Sequence, residues 1–174
     1  LSLLFFPVWG SKAQEKLDSL LPVRGLCIGA PMPAAVDSFV DFIDRGVAAN
    51  KINLIILQID YHYQFKSHPE LTDSFALSTA DIKKIVAACR KNNIRLIPQI
   101  NLLGHQSWAN KTGMLLKKYP QFDETPWISM PAVYKGPNAD SLYCKSYCPL
   151  YPGLHKVIWD VMDELVDVFE AAAF

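Results

Sequence analysis

Residues 97–108 read IPQINLLGHQSW, and the setting of this stretch decides the fold. An apolar, strand-like run meets Pro98, turns polar at Gln99 and Asn101, and delivers Gly104-His105. A histidine just past a buried strand, on a glycine hinge and beside two amides and Trp108, is a site residue in some folds and packing in others. The elements on either side choose between them.

Upstream, VRGLCIGA (23–30) is a short apolar run closed by Gly29, Pro31 and Pro33. Residues 34–49 put Val36, Phe39, Val40, Ile43 and Val47 on one helical face. INLIILQID (52–60) is almost continuously apolar and reads as a strand covered on both faces, as parallel strands are. Ser78-Thr79-Ala80-Asp81 has the form of a capping box, and Ile82, Ile85, Val86 and Cys89 continue it as a helix. Ile94–Ile100 is the third strand. A polar, proline-rich segment (119–152) then leads to a helix over 154–169, with Val157, Ile158, Val161, Leu165 and Val168 inward, and Ala171–Phe174 opens a fourth strand.

This alternation specifies a parallel α/β sheet. Long segments follow the second and third strands, whereas the returns from helix to strand are terse. Elaborate loops on one face and tight turns on the other fit a (β/α)8 TIM barrel better than a Rossmann sheet. No G-x-G-x-x-G follows the first strand, so the phosphate-cradling turn of a dinucleotide site is absent, as is a Walker A loop. Four strands are half of such a barrel. Residues 23–174 therefore read as the N-terminal half of one TIM-barrel domain, from the first strand to about the start of the fourth.

Lys and Arg balance Asp and Glu at seventeen each, which gives no general attraction to nucleic acid or to an anionic membrane. Leu1–Trp9 is apolar and is followed by Ser11-Lys12-Ala13, the pattern of the back half of a secretory signal peptide cut after Ala13. It predicts an exported protein, periplasmic or extracellular. At about nine residues the stretch is too short to span a bilayer. Residues 14–22 read as a linker or short helix. Cys27 and Cys89 are expected to be inert core thiols. Cys144 and Cys148, in YCKSYCP, leave a loop disulfide and two free thiols equally open, and their spacing does not specify zinc.

In a TIM barrel the working residues lie at the C-terminal ends of the strands. The first strand offers Gly29, Ala30 and Met32. The second offers Asp60, Tyr61, His62 and Tyr63, and the third Gln99, Asn101, His105 and Trp108. One carboxylate, imidazoles, amides and aromatic faces together suit a polyhydroxylated ligand, with rings stacking on sugar C–H surfaces and polar groups forking onto hydroxyls. Blander readings stand beside these. Asp60 caps a turn, Tyr61 and Tyr63 pack a loop, His68 is an exposed loop residue, and Arg24 makes a structural ion pair. Asp60, His62 and His105 lack metal-ligand spacing, so no metal is expected.

RGL in the first strand, KINLIILQID in the second, the helix DIKKIVAACRKNNI and then RLIPQINLLGH resemble the first half of glycoside hydrolase family 20, the β-N-acetylhexosaminidases. In that family the third strand reads I-P-E-I-D-x-P-G-H, and His105 matches its histidine, which lines the sugar pocket. Gln99 and Asn101 stand where the family has Glu and Asp, Leu103 replaces a Pro, and Met32 falls where it has a substrate-gripping Arg. The family's Asp in the second strand aligns with Tyr61, one residue beyond Asp60.

The resemblance implies hydrolysis of terminal β-linked amino sugars by substrate-assisted retaining catalysis, without metal or organic cofactor. The family's catalytic Asp-Glu pair, in H-x-G-x-D-E after the fourth strand, is expected just beyond Phe174, so these 174 residues alone are expected to be inactive. His105, Asp60, Gln99, Asn101, Tyr61, His62, Tyr63 and Trp108 are then pocket or substrate-binding residues, with a carbohydrate as partner. The alternatives are a non-catalytic carbohydrate-binding barrel and a different sugar-active barrel enzyme.

Overall fold

The computed structural model describes residues 19–102, 104–108, 111–128 and 144–171. The expected signal remnant, Leu103 and all but the first residue of the expected fourth strand lie outside the described residues, as do residues 14–18 of the expected linker.

Three strands, β1 (Gly25–Gly29), β2 (Leu54–Gln58) and β3 (Arg95–Gln99), form a parallel sheet in the order β1-β2-β3. The register aligns Cys27 with Ile56 and Ile97, and Gly29 with Gln58 and Gln99. Helix α1 (Val36–Phe42) runs on through a wider turn at Ile43–Val47 and a tighter one at Ala48–Asn50, covering the helix expected there. Helix α2 (Thr79–Lys91) connects β2 to β3. The segment after β3 holds more structure than its composition suggests: a hairpin of β4 (Ser107–Trp108) and β5 (Lys111–Thr112), and a short helix α3 (Met114–Lys118). Helix α4 (Leu154–Phe169) closes the described chain on the residues its periodicity predicts.

Helices α1 and α2 touch each other, and α4 packs on both α2 and β3. The helix after β3 thus stays on the same face as the two before it, as in a barrel, instead of crossing to the opposite face of an open sheet. Period-two alternation sends Ile55, Leu57 and Leu96 under these helices, where Ile55 and Leu57 are fully buried. Each such aliphatic side chain contributes roughly 1.5–3 kcal/mol.

The other face departs from expectation. Leu54 and Ile56 are only half-buried, and Cys27 is exposed, so β2 is covered on one face here and Cys27 is not a core thiol. The reason is register: Cys27, Ile56 and Ile97 share the face that the described helices do not reach. Cys89 sits under α2 in the core, and burial pushes its thiol up to about 12. Arg24 serves as a clasp, its guanidinium donating to the carbonyls of Lys51 (2.7 Å) and Leu21 (3.2 Å).

His68 departs from expectation as well. Its side chain is 14% exposed, with Nε2 3.0 Å from Asp160 Oδ2 and Nδ1 near Glu70 (3.1 Å) and Tyr119 (3.2 Å). It ties the loop after β2 to α4 and to the turn after α3, because three polar partners compensate its burial. The Lys156 ammonium first, and then His68, holds the Asp160 carboxyl below the usual carboxylate range.

Two outcomes test this packing. In the folded chain, site-resolved alkylation should label Cys27 readily and Cys89 only on unfolding. At the start of α2, Ser78 Oγ accepts from the Asp81 N–H (3.2 Å) while Asp81 Oδ2 accepts from Ser78 N (3.0 Å), the reciprocal capping box. The Ser78 hydrogen bonds hold the Asp81 carboxyl below its ordinary value. A lowered native pKa adds stability above the unfolded-state pKa near 4 that is lost as pH falls through the native one. Ser78→Ala should cost about 1 kcal/mol in urea titrations at neutral pH and flatten this acid dependence.

Candidate active site

Two corners meet at the C-terminal end of the sheet. At the first, the backbone leaves β2 and turns left-handed at Asp60 (φ 42°), a region that Asp and Asn enter more readily than most residues. Asp60 Oδ1 there accepts from both the backbone N–H (3.0 Å) and the side-chain amide (3.1 Å) of Asn101. At the second, the expected glycine hinge falls one residue later: Gly104 has no left-handed φ, and His105 itself turns the chain (φ 55°). The His105 ring stacks on Trp108, centroids 5.5 Å apart and planes tilted by 29°.

Asp60, Asn101, His105 and Trp108 line one cavity of about 520 Å³, with Ser107, Lys111, Thr112 and Gly113 completing its wall. Asn101 and His105 also border a larger, mainly apolar cavity of about 880 Å³ that reaches Glu124, Tyr147, Ile158, Trp159 and Met162. Of the two adjacent positions at the end of β2, Asp60 therefore faces the cavity. Tyr61 turns inward, buried, and its hydroxyl donates to Gln106 Oε1 (3.1 Å). Burial first, and then the Asp60 charge, pushes the Tyr61 phenol far up, so it remains a hydrogen-bond donor at any working pH.

The remaining sequence candidates lie elsewhere. Gln99 ends β3 beside the corner, its amide 3.4 Å from Asn101 Oδ1. His62 borders neither cavity and meets the Asp73 carboxylate. Tyr63 is buried, bonded to Thr79 Oγ1 (3.0 Å) and edge-on to Phe65 at 5.2 Å, so its ring fills core space behind the site. Met32 is exposed and borders neither cavity. The β4–β5 hairpin adds a residue the sequence did not flag: Lys111 sits directly opposite Trp108 in the antiparallel pair, on the same cavity wall. Among the described residues, no three His, Cys, Asp or Glu side chains form a metal-binding group.

A second unflagged residue holds the corner together. Gln106 is buried, and its Nε2 donates to the carbonyls of Asn101 (2.6 Å) and Gly104 (3.2 Å), while Oε1 accepts from Tyr61. Its backbone N–H donates to Lys145 (2.9 Å) and its carbonyl accepts from Gly113 N–H (2.6 Å). A glutamine after a turn carries no periodicity, so only its adjacency to His105 hinted at this role. A Cβ on Gly113 would come within 2.9 Å of the Gln106 carbonyl oxygen. Gly113→Ala and Gln106→Leu should each destabilise the chain by about 1–3 kcal/mol, read by thermal melting, and each should weaken ligand binding at the cavity.

The model of the glycosyl hydrolase family 20 catalytic domain matches residues 33–174. No curated protein sequence matches the chain. Among solved structures, the chain is similar to a chitobiase from Flavobacterium johnsoniae (TM-score 0.60, 22% identity, 86% of this chain and 22% of that one). It is also similar to a β-N-acetylhexosaminidase from Streptomyces coelicolor A3(2) (TM-score 0.59, 18% identity, 86% and 31%). A mutant Streptomyces plicatus β-hexosaminidase, solved with the product GlcNAc, matches at TM-score 0.59 and 18% identity, covering 86% and 30%. The chain thus spans about a fifth to a third of the length of these structures, and identities this low speak for a shared barrel fold alone. With a family match over most of its length and a parallel βα arrangement to carry it, the chain belongs to glycosyl hydrolase family 20.

Proposed function

We propose that the protein containing this chain is an exported glycoside hydrolase that removes terminal β-linked amino sugars by substrate-assisted retaining catalysis. The cavity that gathers Asp60, Asn101, His105 and Trp108 at the strand ends supports this reading most directly. Each contact has a job. The exposed Trp108 face gives an apolar platform for a pyranose, and the Asn101 amide and His105 imidazole offer polar groups at its rim. Asp60 contributes negative charge where positive charge develops on the sugar ring, and the two hydrogen bonds from Asn101 hold that carboxylate in place.

Asp60 is the one carboxylate lining this cavity among the described residues, and an acid pair from outside these 174 residues completes the reaction in this reading. The substrate's own acetamido group then attacks the anomeric carbon, and the acid protonates the leaving oxygen. These 174 residues alone are inactive on this account. Export rests on the apolar Leu1–Trp9 stretch with Ser11 and Ala13 after it. The amides Gln99 and Asn101, in place of acids, favour a second reading, a barrel that binds carbohydrate without cleaving it.

The test is turnover of aryl N-acetyl-β-glucosaminide and N-acetyl-β-galactosaminide by the full-length protein. His105→Asn is the informative variant, because Asn keeps the left-handed backbone and deletes the imidazole. It should lower kcat/KM by about 10²-fold. Unchanged turnover removes His105 from the site, and sugar binding without any turnover in the wild type selects the binding reading.

A further inference from the structure

Lys145 and Asp123 form an enclosed ion pair, with side chains 8% and 10% exposed. Lys145 Nζ also donates to the Thr125 carbonyl (3.1 Å), and Asp123 Oδ1 accepts from Thr125 N–H (2.9 Å). Neither residue is among those lining the two cavities. A buried pair is a poor source of net stability, because desolvation of the two charges offsets their attraction. What it supplies is direction.

The direction is toward the His105 corner. The Lys145 backbone N–H donates to Ser107 Oγ (2.6 Å), and the Lys145 carbonyl accepts from Gln106 N–H (2.9 Å). Residue 145 is therefore fixed at its side chain by Asp123 and at its backbone by the two residues that follow His105. Ser107 and Gln106 are both 1% exposed, so neither has water to replace a lost partner. Antiparallel contacts extend the mount on either side: Glu124 N–H donates to Ser146 (3.2 Å) and Cys148 N–H to Phe122 (2.7 Å).

We infer that Lys145 and Asp123 are positioning residues for the sugar site. Their ion pair anchors the 144–148 segment, and that segment holds Gln106-Ser107 so that His105 and Trp108 present one continuous wall to the cavity. The activity readout below rests on the hydrolase reading, whereas the spectroscopic one does not.

The test uses the full-length protein with ¹³Cε1-labelled histidine, the His105 signal being assigned by its loss in His105→Asn. Lys145→Met with Asp123→Asn removes both charges together and leaves no unpaired buried ion. The expected result is a folded protein whose His105 signal moves or broadens, with kcat/KM on 4-methylumbelliferyl N-acetyl-β-glucosaminide reduced about tenfold. Lys145→Arg, which keeps the charge, should restore both toward wild type. Lys84→Met, which breaks the exposed Lys84–Asp37 pair, should move neither. If the double variant does not fold, Asp123→Glu keeps both charges, lengthens the link by one methylene and should move the same signal. A folded variant of the pair with an unmoved His105 signal overturns the inference. A moved signal in a protein with no turnover in any form supports the positioning role and overturns the hydrolase reading instead.

Discussion

One buried side-chain amide governs the end of this sheet. Gln106 uses both amide protons, its amide oxygen and its backbone N–H and C=O, and the groups it satisfies belong to four separate stretches of chain. Those stretches are the turn after β2, the turn after β3, the start of α3 and the 144–148 segment. Carbonyls at a buried corner with no regular partner are costly, and a single well-placed amide removes the cost for Asn101 and Gly104 together. The cavity wall is the outer surface of this arrangement. His105 and Trp108 flank the segment Gln106-Ser107, so two exposed rings on the cavity wall are spaced by two residues that are themselves almost fully buried.

Much of the fold was legible because it obeys local rules. The continuous apolar run at 52–60, the helical stripe at 154–169 and the Ser78–Asp81 box each announce themselves within one element, and each element formed where its residues require. Loop lengths then pointed to a barrel, and the helix after β3 does pack on the same side as its predecessors. Less legible was anything that depends on two distant segments meeting. The β4–β5 hairpin has two residues per strand, too few for an alternation to register. Cys27 sits in an apolar run and is nevertheless exposed, because its face, unlike its neighbours', has none of the described helices against it.

The site divides in the same way. Asp60, Asn101, His105 and Trp108 were visible as polar or aromatic residues at strand ends, a position rule that needs only the strand boundaries. His62 and Tyr63 satisfied the same rule and went elsewhere. Beyond a left-handed residue at position 60 the chain is no longer a strand, so alternation stops predicting which way a side chain points. Lys111 was invisible because it lies too far past β3 for the rule to reach it, and Gln106 because its role is to satisfy buried backbone carbonyls, which leaves no pattern in the sequence.

The order of the sheet has a kinetic consequence. Each strand pairs with the one before it, and the helix between β2 and β3 packs on β3 and on α1, so the contacts of β1-β2-β3 close loops of modest length in turn. Such a unit can assemble progressively as the chain emerges, without waiting for a distant partner strand. The Gln106 junction is different, since it needs the 144–148 segment to arrive. Strand pairing should therefore precede completion of the cavity wall, and slow steps in folding should register at the corner after the sheet has formed.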